Sequence, residues 1–259
     1  MTQWLVLFNK EMVEMWRNGR WLWVPIVFIV LGAMQPLVTY YTPQLLENYG
    51  GLPAGTQIDI PLLSGGEIMV QTLSQFGILG LLILILVSMG AISSERQSGV
   101  AAIIMVRPVP AASWITAKWA SLIVLMLVSL FLGLAAAGYY TEVLIGGIDP
   151  LRLFSSFLAY GLWLAFVITV TLFFSVIMKG NGGIAFLAVV VSAGLMMATG
   201  LLEKYMRWSP SRMGDYAGEL LVSDALPSGL WLPLLSTFVI IVALLVSSTL
   251  IFRNQELLD

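Results

Sequence analysis

The sequence predicts an all-α membrane protein, a single domain over residues 1–259 that crosses a membrane six times. Three observations lead to this fold class. The chain is 59% hydrophobic and only 10% charged, whereas soluble domains carry about 25% charged residues. Its mean hydropathy is +0.95. Six apolar runs without a charged residue are also long enough to cross ~30 Å of hydrocarbon, which takes about 17–25 helical residues.

The composition also argues against several kinds of binding site and catalysis in this chain. A net charge of −2 leaves no basic face for nucleic acid. Cysteine and histidine are both absent, which removes thiol catalysis, thiolate metal sites and the commonest general base. The glycine-rich segment 179–183 lacks the G-x-x-x-x-G-K-[ST] spacing of a phosphate-binding loop. We therefore expect no enzyme activity, no metal and no nucleotide site in this chain, and a tight turn at 179–183.

An amphipathic helix is predicted before the first span, over residues 2–18. Its apolar residues recur at helical spacing and include Trp4 and Trp16, and Lys10 and Glu14 form an i,i+4 pair on the other side. Thr2 is a candidate N-cap. We expect this helix to lie at the membrane–water boundary. The run that follows is too long for a signal peptide and has no cleavage site, so we expect it to be a retained span.

Helices are the expected form of the six runs, because a backbone in lipid must satisfy its own hydrogen bonds. A β-barrel would show short alternating segments instead. The predicted spans are Trp21–Tyr41, Thr72–Ile92, Trp119–Tyr140, Leu153–Met178, Gly183–Leu202 and Leu230–Phe252.

The basic residues between the spans indicate the orientation. Eight of them fall on the side of the N-terminus and four on the opposite side. Basic residues concentrate on the cytoplasmic side, so we expect both termini in the cytoplasm and the protein in the cell membrane. The eight are Lys10, Arg17, Arg20, Arg96, Arg107, Lys118, Lys179 and Arg253, and the four are Arg152, Lys204, Arg207 and Arg212.

Two outer connections are long. Thr42–Gln71 holds three prolines and five glycines, which predicts an irregular loop. Glu203–Gly229 alternates apolar and polar residues on either side of Pro210, which predicts two short helices before the last span.

The inner connection, residues 93–118, is predicted to hold a helix from about Glu95 to Val106. Ser94 and Gln97 have the spacing of a capping box, and Ser113 is a candidate cap for the next helix. Arg107 precedes a proline and is biased away from helical geometry. The exposed face is apolar and needs a cover of lipid or protein; it includes Ala101, Ile104 and Met105.

The spans themselves carry only weak polar signals. Gln35 and Gln75 are expected to hydrogen-bond between helices rather than line a pathway. Small residues four apart permit close helix contact, and Gly194 with Ala198 is the pair that best fits a dimer interface. The other such pairs are Gly133 with Ala137 and Gly161 with Ala165.

The inner connection resembles the permease subunits of ABC-2-type transporters. Many members have a glutamate after the second span, a glycine, an apolar stretch, a proline after arginine, and a lysine that opens the third span. The matching residues here are Glu95, Gly99, Ile103-Ile104, Arg107-Pro108 and Lys118. The chain departs from the pattern at Val100, where the family often has threonine, and at Ala111, where it often has a basic residue.

The resemblance extends over the whole chain. It implies a dimer with a second copy or a homologous permease, and separate ABC ATPase subunits that bind the ATP, so that the chain itself has no cofactor. The loop helix would act as a coupling helix, and the substrate would move outward. The composition of the spans, which are uncharged and apolar, suits an amphiphilic substrate. The implied ATPase-coupling residues are Ser94, Glu95, Arg96, Gly99, Ile103, Ile104, Arg107, Pro108 and Lys118.

Two other classes of protein stay open. A membrane sensor or anchoring subunit that moves nothing would share this topology. A secondary transporter is disfavoured, because ion coupling usually relies on ionisable residues within the spans.

Overall fold

The computed structural model describes residues 3–49, 63–98, 110–223 and 227–256, and over these ranges the chain forms helices joined by turns, with no strand. Six of the helical segments are long and apolar enough to cross a membrane, as predicted. In chain order the helices are α1 (Gln3–Arg17), α2 (Arg20–Tyr49), α3 (Gly65–Gln75), a π-helical turn (Phe76–Gly80), α4 (Leu81–Ser88), α5 (Ser93–Gln97), α6 (Ala111–Leu144), α7 (Pro150–Ile177), α8 (Asn181–Leu201), α9 (Arg212–Val222) and α10 (Trp231–Glu256).

Helix α7 is the centre of the bundle. In its most apolar stretch 72% of the residues are buried, against 22% in α8 and 17% in α10. Its sequence is apolar all round, which is typical of a helix with protein on every side. Asp149 begins it by accepting a hydrogen bond from the Leu151 N–H at 2.9 Å, and Pro150 occupies the first helical position. Since α8 and α10 are mostly uncovered, they form the periphery of the chain.

Helices α2 and α6 pack closely at two glycines. A Cβ added to Gly32 would overlap the Gly133 carbonyl oxygen, and one added to Gly133 would lie 2.8 Å from the Phe28 carbonyl oxygen. Phe28 fills the adjoining space against Phe76, with ring centroids 5.2 Å apart. Small residues allow this approach between membrane helices. Gly133 therefore serves packing within the chain.

The second span is interrupted by the π-helical turn. Phe76 and Gly80 of this turn are buried, and the Tyr160 hydroxyl of α7 donates a hydrogen bond to the Leu73 carbonyl oxygen at 3.0 Å. Such insertions free a backbone carbonyl, which must find another partner in an apolar environment. The Leu73 carbonyl oxygen accepts from the Phe76 N–H as well, so the tyrosine is its second donor.

Both ends of the predicted loop Thr42–Gln71 are helical, so the loop is shorter than expected. Helix α2 continues through Pro43 to Tyr49, and α3 begins at Gly65. Ser64 caps α3 through a capping box with Glu67, in which the Ser64 N–H donates to Glu67 Oε2 at 2.7 Å. This S-x-x-E spacing predicts the start of a helix. The prediction of a loop relied on the glycines and prolines of the segment and did not use this spacing.

Before the last span, the described residues hold one short helix, α9, and not two. Residues 202–211 form turns instead of the first predicted helix. A ring of three buried hydroxyls fixes these turns to the end of α8: Thr199 and Ser209 are 2.7 Å apart, Ser209 and Ser211 3.0 Å, and Ser211 and Thr199 2.7 Å. Each hydroxyl both donates and accepts a hydrogen bond within the ring. The three side chains therefore satisfy one another, and the segment is held in place without forming a helix.

Some predictions for smaller features are confirmed, and others are wrong or lie outside the described residues. Helix α1 forms as expected and Lys10 pairs with Glu14 at 3.3 Å, whereas Thr2 lies outside the described residues. The turn predicted at 179–183 is present but shorter, because α7 ends at Ile177 and α8 already begins at Asn181. Gln35 donates to Gln71 Oε1 at 2.6 Å, an interhelical bond as predicted. Ser113 does not cap α6, which begins two residues earlier, after Pro110.

Gly32→Ala tests the close approach of α2 and α6. The added methyl group meets backbone atoms that cannot rotate away, so we expect a loss of about 1–3 kcal/mol in unfolding free energy. Gly182→Ala is the matched control, because nothing lies within 4 Å of an added Cβ there. The measurement is chemical unfolding of the purified chain in mixed micelles. Equal stability of the two variants would refute the packing described here.

Candidate functional site

Lys118 is a buried lysine near the start of α6. Its side chain is 3% exposed. The Nζ atom lies 2.8 Å from Glu11 Oε1 and 2.8 Å from Glu95 Oε1, and it sits over the Trp114 ring at 5.3 Å from the ring centroid. Lysine is almost never fully buried unless it is paired. Here two carboxylates from distant parts of the chain provide the pairing.

The two carboxylates belong to α1 and α5, so Lys118 joins three helices. A second lysine, Lys10, closes the arrangement from the half-exposed side. Its Nζ atom lies 2.6 Å from Glu95 Oε1, 3.1 Å from Glu11 Oε1 and 3.3 Å from Glu14 Oε2. We call these five residues, Lys10, Glu11, Glu14, Glu95 and Lys118, the charge cluster.

The electrostatics of the charge cluster favour the protonated form of Lys10. Burial lowers the pKa of the Lys10 ammonium group, but the hydrogen bond to Glu95 and the charges of Glu11 and Glu95 outweigh it, so the pKa is raised overall. Lys10 therefore stays protonated at any physiological pH. Oxygens of Glu11, Glu14 and Glu95 approach within 4.8 Å of one another, yet the ammonium groups of Lys10 and Lys118 already compensate two of the three negative charges. A metal ion at this position would be repelled by both lysines.

Glu95 is held in place by contacts between α5 and the end of α7. The Ser175 hydroxyl accepts hydrogen bonds from the Ile92 N–H at 3.1 Å and the Ser93 N–H at 3.0 Å. Arg96 donates to the Val176 carbonyl oxygen, and Gln97 donates to the Lys179 carbonyl oxygen. Helix α5 is too short to be stable alone. These tertiary bonds replace the missing turns.

The predicted capping box at the start of the inner connection is wrong. The helix begins at Ser93, its N-cap position is Ile92, and no side chain caps it. Ser94 lies inside the helix, and the Gln97 side chain bonds to Lys179 rather than to Ser94. The physical reason is that Ser175 already accepts from the N–H groups of Ile92 and Ser93. A partner from another span displaces the local cap.

A second interaction ties α1 to α6. The Trp4 indole N–H donates to Thr116 Oγ1 at 3.1 Å. Glu11 is 9% exposed and faces the protein. On the outward side, Val6, Val13 and Trp16 are exposed. The helix is thus docked through charges and presents apolar side chains to its surroundings.

Four of the predicted coupling residues are described. Glu95 and Lys118 lie in direct contact, Arg96 holds α5 against α7, and Ser94 is exposed at the surface. The other five, Gly99, Ile103, Ile104, Arg107 and Pro108, lie outside the described residues. Of the predicted interface pair, Gly194 is exposed, with nothing within 4 Å of an added Cβ, and Ala198 is partly exposed.

Lys118 lies inside the third membrane-crossing helix and not before it, as the predicted span implied. Prediction began the third span at Trp119 and so left Lys118 outside it, but α6 begins at Ala111. The lysine is therefore in the eighth position of a membrane-crossing helix. Lys10, Glu11 and Glu14 were not predicted as site residues. One feature of the sequence does indicate such a cluster. Lys118 lies between Ala117 and Trp119 in an apolar helix, and a buried lysine requires a carboxylate partner.

Comparison with known proteins places the chain in a family. It is 34% identical over 252 residues, which are 97% of this chain and 98% of the other, to the uncharacterized transmembrane protein YxlG of Bacillus subtilis (strain 168). The chain belongs to the same family of transmembrane proteins as YxlG. No family model matches it.

The charge cluster yields a double-mutant prediction. Lys118→Met leaves two buried carboxylates facing each other, and we expect it to lower the unfolding free energy by about 3–5 kcal/mol. Adding Glu95→Gln should recover part of this loss, because Lys10 continues to neutralise Glu11. The measurement is chemical unfolding of the four proteins of the cycle in mixed micelles.

Lys204→Met is the control for this cycle, since Lys204 is exposed in the turns before α9. Its effect should stay within about 0.5 kcal/mol. Strict additivity of the Lys118 and Glu95 substitutions would show that the two side chains are not energetically paired.

Proposed function

We propose that this chain is the permease subunit of an ABC-2-type ATP-driven exporter, and that it moves an amphiphilic substrate outward with energy from separate ATPase subunits. The observation that carries the proposal is the contact of Glu95 with Lys118. It links the first turn of the inner connection to a membrane-crossing helix and, through Glu11 and Lys10, to α1. A push on that connection reaches α1 and α6 directly.

The inner connection is the element on which a partner would act. Its start is fixed to α7 by Ser175 and Arg96, and its end is the beginning of α6. A rigid attachment at both ends suits a lever, because an applied displacement is not lost in a flexible hinge. In the proposed cycle, ATP binding brings the two ATPases together and moves this connection, and hydrolysis resets it.

The surface of α1 supports a position at the cytoplasmic membrane boundary. Val6, Val13 and Trp16 are exposed at 57%, 56% and 72%, next to Lys10 and Arg17. Apolar side chains beside basic ones are typical of helices that lie in the interface. In this proposal both termini are cytoplasmic, consistent with eight basic residues on that side and four on the other.

A second permease copy fits the open surface of α8. Gly194 leaves space for a neighbouring helix, since no atom lies within 4 Å of an added Cβ, and 22% of the most apolar stretch of α8 is buried within the chain. In the proposed dimer, Gly194 and Ala198 lie at the contact between the two permeases.

The experiment that tests the proposal is purification of the tagged chain from its native host. We expect an ATPase with a phosphate-binding loop to be recovered with it, in about equal amounts, and ATP hydrolysis to proceed in reconstituted membranes. Recovery of the chain without such an ATPase, or with a non-ATPase signalling partner, would contradict the proposal and favour a sensor or anchoring subunit.

A variant of the charge cluster tests the coupling role within that complex. Lys10→Met removes the half-exposed lysine but keeps both ion pairs of Lys118, so the fold should survive. We expect the rate of ATP hydrolysis to fall several-fold at unchanged ATPase content, because α1 and α5 are less firmly joined. Lys204→Met should leave the rate unchanged. An unaltered rate in Lys10→Met would refute the coupling role of the cluster.

A further inference from the structure

A cavity of about 690 Å³ lies at the opposite end of the bundle from the charge cluster. The second span, α7, α8 and α9 surround it. Small-molecule sites typically have volumes of about 300–1,000 Å³ and mostly apolar walls with a few polar groups. The volume is therefore sufficient for a ligand of drug size.

The floor of the cavity is apolar, and the one hydroxyl group in it is already hydrogen-bonded. Leu73, Tyr160 and Trp163 form it and are buried. The Tyr160 hydroxyl donates to the Leu73 carbonyl oxygen at 3.0 Å, at the point where the π-helical turn begins. Because this donor is occupied, the floor suits an apolar ligand body. π-Helical insertions are frequent at functional sites.

The rim of the cavity is acidic. Asp215 and Glu219 line it and are one turn apart on α9, on the same face and both exposed. Among the described residues, neither carboxylate is within ion-pair distance of a base, and no lysine or arginine lines the cavity. The nearby Arg212 is engaged with Glu203 at 3.0 Å.

The electrostatic setting of Asp215 agrees with a net negative rim. Partial loss of hydration raises the pKa of its carboxyl group, Arg212 opposes this shift, and the charges of Glu219 and Glu203 add to it. A positive group between Asp215 and Glu219 would relieve this repulsion. An anionic group at the same place would increase it.

We propose that this cavity binds an amphiphilic cation, with its apolar body against Leu73 and Trp163 and its positive group between Asp215 and Glu219. The assignment of this ligand as the exported substrate rests on the proposed function. The binding itself needs no ATPase, because every group that forms the site belongs to this chain.

The test is equilibrium binding of radiolabelled tetraphenylphosphonium to the purified full-length chain. We expect saturable binding that is displaced by dodecyltrimethylammonium and not by dodecyl sulfate or octyl glucoside. Asp215→Asn combined with Glu219→Gln should weaken it about tenfold or more, because the rim loses both charges without changing shape. Equal displacement by the neutral detergent would overturn the proposal in favour of a lipid-filled cavity.

Two further variants separate charge from shape. Gly200→Leu should also weaken binding, since Gly200 lines the cavity and has open space at its Cβ position. Glu142→Gln is the matched control, because Glu142 is exposed outside the cavity and accepts from the Ile148 N–H at 3.0 Å through an oxygen that glutamine retains.

Unchanged affinity in the Asp215/Glu219 double variant, with an unchanged unfolding midpoint, would overturn the site. That result is independent of whether an ATPase is recovered with the chain. Conversely, absence of an ATPase partner would remove the export role and leave the cation site as a property of this protein alone.

Discussion

The structure depends on one buried lysine. Lys118 is 3% exposed within a membrane-crossing helix and is stabilised by Glu11 and Glu95, each at 2.8 Å. Removing a charge of this kind from water costs several kcal/mol unless its partners are close and well placed. The need for nearby carboxylates constrains the helices that carry Glu11 and Glu95 as well as Lys118 itself. Helix α1 must lie against α6, and the start of the inner connection must lie against both, or a charge remains uncompensated. The cluster therefore fixes the geometry of one end of the bundle.

The two ends of the bundle have different physical characters. At the cluster end, oppositely charged side chains are paired and hold three helices together. At the other end, the two carboxylates of Asp215 and Glu219 are exposed at the rim of an apolar cavity, and three hydroxyls anchor the turns before α9. Paired charges give rigidity, and unpaired charges beside an apolar space give binding capacity. This division matches the proposed function, in which a partner acts at one end and a ligand binds at the other.

Sequence reasoning predicted the parts of the fold that depend on local properties. The six apolar spans and helix α1 follow from length, hydropathy and helical spacing, and the position of the turn between α7 and α8 follows from its glycines. It missed features set by distant contacts. Ser94 matched a local capping rule, but Ser175 satisfies that helix start from 82 residues away. Lys118 falls outside the predicted span because the spans are defined as runs without charge, and its partner Glu11 is 107 residues distant. The acidic rim was likewise hidden, since Asp215 and Glu219 become meaningful only when α9 lies over the cavity.

Hydrogen exchange of the purified chain in lipid nanodiscs tests the central claim, that Lys118 holds α1 and α5 against α6. In Lys118→Met, the account predicts faster amide exchange in Gln3–Arg17 and Ser93–Gln97, since both helices lose the charge that attaches them. Exchange in Arg212–Val222, at the far end of the bundle, should remain as in the wild-type protein. Unchanged protection of α1, or a uniform increase over all helices, would contradict the account.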